Sequence, residues 1–239
     1  MRESEAIKQE GESQVEAVIF DFDGVIADTE PLHHQTFCAV VRDDGLACSW
    51  DEYVREYIGF DDRDLFREAY KKIGRALSEA EVQERVETKA RVFLELAARG
   101  VAVYDGVIDV VHELHARYPL AICSGALSSD ILPLLDQFGL TDRFLVRVTA
   151  EDVPASKPDP ACYRLTVQRL ADALGRPIDA AGCVAIEDSP TGVIAARGAG
   201  LRVWAVTHTH RSDQLHSAHR VFDTLVELAH HGLACRKAF

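Results

Sequence analysis

Five short, nearly continuous apolar runs constrain the fold of this chain more than any other feature: residues 15–20 (VEAVIF), 119–123 (PLAIC), 144–148 (FLVRV), 182–186 (GCVAI) and 201–206 (LRVWAV). Runs of this length without strict polar alternation read as strands buried on both faces. Helical patterns lie between them. Val107, Val110, Val111 and Leu114 recur at helical spacing over 107–117, and 128–138, 160–174 and 191–199 are similar. This alternation predicts an α/β fold, a doubly wound parallel sheet with helices on both faces.

One stretch breaks the alternation. Residues 31–103 show no strand signal but four helix-like segments, roughly 31–43, 50–57, 62–73 and 79–99. The last opens with Ser78 and Glu81 in capping-box spacing. Such a block is too long for a loop. It predicts an inserted α-helical domain whose two connections lie close together, near Asp28–Pro31 and Gly100–Gly106. The expected division is therefore a flexible tail at 1–14, a core made of 15–30 and 104–239, and the helical insertion at 31–103. The polar tail has no apolar signal-peptide core.

The formal net charge is −13. That disfavours nonspecific nucleic-acid binding, which needs a basic footprint. An anionic ligand would have to be attracted locally, against the global field. No apolar run approaches the ~20 residues needed to span a bilayer. A cytoplasmic protein with no membrane partner is expected, as a monomer or weak homo-oligomer. Cys38, Cys48, Cys123, Cys162, Cys183 and Cys235 show no zinc-like spacing, so reduced, mostly buried thiols are expected.

In an open parallel sheet, ligands bind beyond the carboxyl ends of the strands. Here those ends carry Asp21-Phe22-Asp23-Gly24, Cys123-Ser124-Gly125, a loop with Ser156-Lys157-Pro158, and Glu187-Asp188-Ser189-Pro190. On extended chain, positions i and i+2 face one side, so Asp21 and Asp23 can address one site. Clustered carboxylates repel and favour protonation unless a cation is present. With Asp188 they suggest a hard ion with oxygen ligands, most simply Mg²⁺. Lys157 near those acids would suit an incoming phosphate, and Ser124 and the Gly125 N–H could bond a phosphoryl oxygen. Asp21 can serve as a nucleophile and Asp23 as a general acid and base. Gly24 is expected to let the backbone approach the phosphate, and Asp28 to cap the first inserted helix or steady the hinge. His208 and His210 sit in a polar loop and are not expected to bind metal.

DFDGVIADTE, CSG, SKPDP and IEDSPTG, in this order, resemble the four signature motifs of the haloacid dehalogenase superfamily, over nearly the whole chain from Val15. Asp23 is the second Asp carried by its phosphotransferase branch. The resemblance implies a Rossmann-like core with a helical cap inserted after the first motif. Asp21 then matches the nucleophile and a metal ligand. Asp23 matches the acid/base, with its backbone carbonyl on the metal. Asp188 matches a third ligand, and Glu187 a metal-site carboxylate acting largely through water. Ser124, Gly125 and Lys157 fall at phosphate-binding positions. DTEPLHHQTF is similar to the β-phosphoglucomutase-like group, which includes sugar-phosphate phosphatases. His33 matches a histidine there that orients Asp23 or the substrate. Gly59 and Arg63 fall where that group's cap presents its specificity loop, and Arg63 would suit a second anionic group on the substrate. The implied activity is Mg²⁺-dependent phosphatase action on a small phosphorylated metabolite, a sugar phosphate, through an aspartyl-phosphate. A phosphosugar mutase is the alternative. A non-catalytic binding protein of this fold is the third reading, disfavoured because every catalytic position is filled.

Overall fold

The computed structural model describes residues 15–46, 48–58 and 60–233. The expected tail at 1–14, Gly59 and Cys235 lie outside the described residues. All five apolar runs form strands, a residue or two shorter at their starts: β1 (Ala17–Phe20), then, after a small ribbon, β4 (Leu120–Cys123), β5 (Val146–Val148), β6 (Cys183–Glu187) and β7 (Arg202–Val206). A sixth, β8 (Arg220–Phe222), completes a parallel sheet in the order β5-β4-β1-β6-β7-β8. Sequence reading missed β8 because three partly exposed residues at an edge leave no apolar run.

Side chains alternate across the sheet. Val18 and Phe20 face α5 (Val107–His115) and α6 (Ser128–Gln137), through Val111, Leu114, Ile131 and Leu135. Ala17 and Ile19 face α7 (Ala161–Leu174) and α8 (Pro190–Gly198), through Tyr163, Leu170, Val193 and Ala196. Both faces are covered, and a non-alternating sequence follows from that. The central strand β1 is fully buried, so its carboxyl end opens into the middle of one edge.

Between β1 and β4 run α1 (Glu30–Val41), α2 (Trp50–Glu56), α3 (Asp62–Lys72) and α4 (Glu79–Ala97). Phe37, Tyr53, Tyr57, Phe66, Tyr70, Val82 and Val86 give these helices a core of their own. The Ser78–Glu81 capping box forms as expected. The buried stripe of α4 is Val82, Val86, Lys89, Phe93 and Ala97. Its first turns belong to the helical core, and Phe93 and Ala97 belong to the sheet's core.

Both connections to the sheet pass through a two-stranded antiparallel ribbon, β2 (Ala27–Asp28) with β3 (Ala102–Val103). Strands of two residues carry no legible periodicity. Asp28 is paired there with Ala102 and does not cap α1. Thr29 occupies that N-cap, without a side-chain cap bond. The helix expected over 160–174 starts one residue later, as α7, with Pro160 as its N-cap residue and Asp159 accepting the Ala161 N–H at 2.8 Å.

Candidate active site

The sheet order β5-β4-β1-β6 makes all four motif-bearing strands neighbours, with β1 between β4 and β6. The Asp21 N–H extends the β1–β6 ladder by donating to Ile186 O at 2.9 Å. That last rung sets Asp21 beside Glu187 and Asp188. Asp21, Glu187 and Asp188, all buried, each offer a carboxylate oxygen within 4.8 Å of the others.

Lys157 reaches into this group from the loop before α7. Its Nζ donates to Glu187 Oε1 at 2.7 Å and to Cys123 O at 3.1 Å. It stands 3.1 Å from Asp21 Oδ1, but off the line of a hydrogen bond, so that buried oxygen accepts none. Burial is opposed by Asp21 and Glu187, which hold the ammonium well above the usual lysine range. Glu187 is fully buried and also accepts from Tyr163 Oη at 2.6 Å and Ser189 Oγ at 3.2 Å. Its carboxylate is thus held by protein donors and in turn fixes Lys157. Tyr163 was not singled out from sequence, being one apolar-face position of a helix.

Burial raises the Asp21 and Asp188 pKa values far above the ordinary carboxylate range, and each acid is raised further by its carboxylate neighbours. A single ammonium does not offset this cluster. The orphaned Asp21 Oδ1 and the oxygen-only donor set fit a hard divalent cation, with Asp21 and Asp188 as the residues to hold it. Thr209 donates to Asp188 Oδ2 and fixes its orientation. Gly24 (φ 73°) lies against the same carboxylate. A Cβ there would fall 2.0 Å from Asp188 Oδ2. The glycine is therefore required by Asp188, whereas the sequence suggested close approach to a phosphate. Gly24→Ala is expected to lower thermal stability and cut turnover more than tenfold, since strain and a displaced Asp188 add. Melting and initial-rate measurements check this, and wild-type values in both would contradict it.

Asp23 faces a different set of partners. Its Oδ1 accepts from Thr29 Oγ1 at 2.5 Å and lies 3.4 Å from His33 Nε2, while Oδ2 accepts from Ser124 Oγ at 3.2 Å. Burial pushes its pKa up. His33, by bond and charge, and the two hydroxyls outweigh that, and the carboxyl titrates below its ordinary range. The free site thus holds Asp23 ionised. His33 stacks on Phe93 at 4.7 Å between ring centroids. Its Nδ1 is 2.9 Å from the Nζ of Lys89, which bonds Asp62 at 2.5 Å. Burial and Lys89 lower the His33 pKa, but Asp23 and Asp62 raise it more. A chain of polar contacts thus runs from Asp23 through His33 and Lys89 into the helical unit. Lys89 was missed in sequence, although a lysine in an apolar helical stripe was a visible signal.

Ser124 follows β4 directly, and Gly125 lines the cleft with no atom within 4 Å of the Cβ it lacks. The cleft is bounded by Asp21, Asp23, His33, Phe60, Lys157 and Asp188. The helical unit reaches the sheet side here, where Ser156 Oγ donates to Asp64 Oδ2 at 2.5 Å. Arg63 Nη2 lies 3.4 Å from Ala150 O. The structure therefore brings Asp21, Asp23, Ser124, Gly125, Lys157, Glu187, Asp188 and His33 together, with Arg63 at the rim. His208 and His210 belong to no ligand cluster among the described residues. His208 Nδ1 contacts Gly24 O at 2.8 Å and its ring stacks on Tyr104, while His210 Nδ1 contacts Thr209.

A family model for haloacid dehalogenase-like hydrolases matches residues 18–206, which hold all of the clustered acids with Ser124 and Lys157. The chain belongs to that family. Among curated relatives of this hydrolase, it is similar to the phosphorylated carbohydrates phosphatase of Thermotoga maritima, 32% identical over 197 residues, covering 82% of this chain and 87% of that protein. It is also similar to the fructose-1-phosphate phosphatase YqaB of Escherichia coli, 29% identical, covering 77% and 92%. Among solved structures, CbbY from Rhodobacter sphaeroides in complex with phosphate superposes with a TM-score of 0.78 at 26% identity, covering 90% of this hydrolase and 96% of CbbY. The α/β, doubly wound fold expected from the sequence is thus shared with CbbY. Among the described residues, no helix is long and apolar enough to cross a membrane.

Proposed function

We propose that this hydrolase is a Mg²⁺-dependent phosphatase of a small phosphorylated carbohydrate, working through an aspartyl-phosphate. One observation carries the reading: an unpartnered buried carboxylate oxygen, a charged lysine and a separately held second carboxylate share one cleft. Helices α1–α4 act as the cap. The named activities of the similar phosphatases support the substrate class.

In this mechanism Asp21 attacks phosphorus. Lys157, with Ser124 and the Gly125 N–H, binds the phosphoryl oxygens and meets the charge developing on them. Asp23 starts ionised. The charge of a bound phosphate raises its pKa, so Asp23 takes up a proton from solvent as the substrate binds, and it passes that proton to the leaving alkoxide. As a base it next activates the water that cleaves the phosphoaspartate. Thr29 and His33 hold Asp23 at its task once the Ser124 hydroxyl turns from it to the phosphate, and the cap keeps bulk water out during the first step. Mg²⁺ would be held by Asp21, Asp188 and the Asp23 carbonyl, with Glu187 acting through water, and would supply Lewis-acid charge neutralisation.

Inorganic phosphate release from a panel of sugar and small-acid phosphates, with Mg²⁺ and with EDTA, tests the proposal. Release from one or a few members, lost in EDTA, is expected. Isomerised sugar phosphate without free phosphate would instead establish the mutase. No turnover of any phosphate would leave a binding role.

A further inference from the structure

The catalytic cleft does not end at the phosphate position. A cavity of about 780 Å³ opens from it along the cap, sharing Asp61, Asp62 and Gly125 with the cleft. Any leaving group that extends from a phosphate bound at Lys157 on this side enters that space. Its walls therefore act on the part of the substrate that the catalytic residues leave unread.

Seven charged side chains face it, and their pairing fixes its charge. Arg63 donates from Nε and Nη2 to Asp61 Oδ2 at 2.9 and 2.7 Å. The fork that would chelate a second phosphate is closed by that carboxylate, contrary to the anion-binding role the sequence suggested for Arg63. Asp62 is bonded by Lys89. What remains is Glu84 and Glu87 on α4, Glu151 on the sheet side, and Arg91. All four are exposed. Arg91 donates to Thr88 Oγ1 at 3.1 Å, and Glu151 accepts from Thr149 Oγ1 and the Ser128 N–H. Once internal pairs cancel, three carboxylates oppose one guanidinium.

We propose that this cavity is a leaving-group subsite selecting monophosphates whose remaining part is a neutral polyol or carries an amine, and disfavouring substrates with a second phosphate. The inference rests on the phosphatase reading for its reaction but not for its charge preference. A second phosphate would meet Glu84, Glu87 and Glu151 with the Arg63 fork closed and only Arg91 to set against the three carboxylates, a repulsive element of the kind that makes specificity. An ammonium would meet the same carboxylates favourably. Because these side chains are exposed, the preference must weaken as salt screens them.

The test compares kcat/KM for fructose 1-phosphate with fructose 1,6-bisphosphate, and for glucose 6-phosphate with glucosamine 6-phosphate, at low and high ionic strength. Fructose 1-phosphate is expected to exceed fructose 1,6-bisphosphate by on the order of tenfold at low salt, with the gap closing as salt is added. The amino sugar should equal or exceed the neutral one. In the Glu84→Lys/Glu87→Lys double variant the mono-to-bisphosphate ratio should fall about tenfold, mainly through KM for the bisphosphate. Equal or better use of the bisphosphate by the wild type, or a ratio indifferent to charge reversal, would overturn the subsite. If no phosphate is turned over, the phosphatase proposal fails separately. Calorimetric binding of the same ligand pairs then reads the charge preference directly, and equal affinities would overturn it.

Discussion

Asp21→Asn should abolish phosphate release while leaving the fold intact or firmer. Asp21 Oδ1 is buried without a hydrogen bond, and repulsion from Glu187 and Asp23 adds to its desolvation. An amide at that position removes a charge the folded protein holds at a cost, so the melting temperature should match or exceed that of the wild type. Catalysis depends on that same charge. Asparagine cannot form the phosphoaspartate, and losing a nucleophile from a concerted group costs at least about 10⁴-fold in kcat. Labelled phosphate from substrate should be trapped on the wild-type protein and not on the variant. Substantial turnover by Asp21→Asn would sink the mechanism. A lower melting temperature would show that Asp21 stabilises the fold, against the electrostatics described above.

Lys157→Met should produce the opposite pattern, with stability and activity lost together. The lysine is the cation that faces the fully buried Glu187, at 2.7 Å. Removing one partner of a buried ion pair leaves an uncompensated charge and costs about 3–5 kcal/mol. Tyr163 and Ser189 still donate to Glu187, which favours the lower end. In a chain of this size that is a fall of roughly 6–12 °C in melting temperature. The double variant Lys157→Met/Glu187→Gln tests the cause. It should recover much of the stability, because the stranded charge is gone, while activity stays lost for want of the phosphate-binding ammonium. A double variant no more stable than Lys157→Met would show that packing, and not charge, explains the single variant.

These two residues also separate what could be read from sequence and what could not. The chain's own pattern determined the sheet, because strands buried on both faces must be continuously apolar. It determined the helical insertion, because its helices carry periodic apolar positions and a capping box. Asp21, Asp23, Lys157 and Asp188 were legible because each follows a strand end or heads a loop, and parallel topology gathers those ends. The missed elements are the ones whose signal is non-local. The ribbon of Ala27–Asp28 with Ala102–Val103 exists only because two distant dipeptides pair, and β8 only because an edge lay open beside β7.

The site divides in the same way. Residue types and their spacing could announce a cluster of acids with a lysine. Only the tertiary structure decided how the acids divide: Glu187 is turned to Lys157, Asp23 to Thr29, Ser124 and His33, and Asp21 keeps an oxygen unbound. The same holds for Arg63, which reads in sequence as a free cation and in the fold is bonded to Asp61. Charge belongs to a residue type and is visible in one dimension. Pairing depends on which side chains the folded backbone brings within about 3 Å, and so it is decided in three.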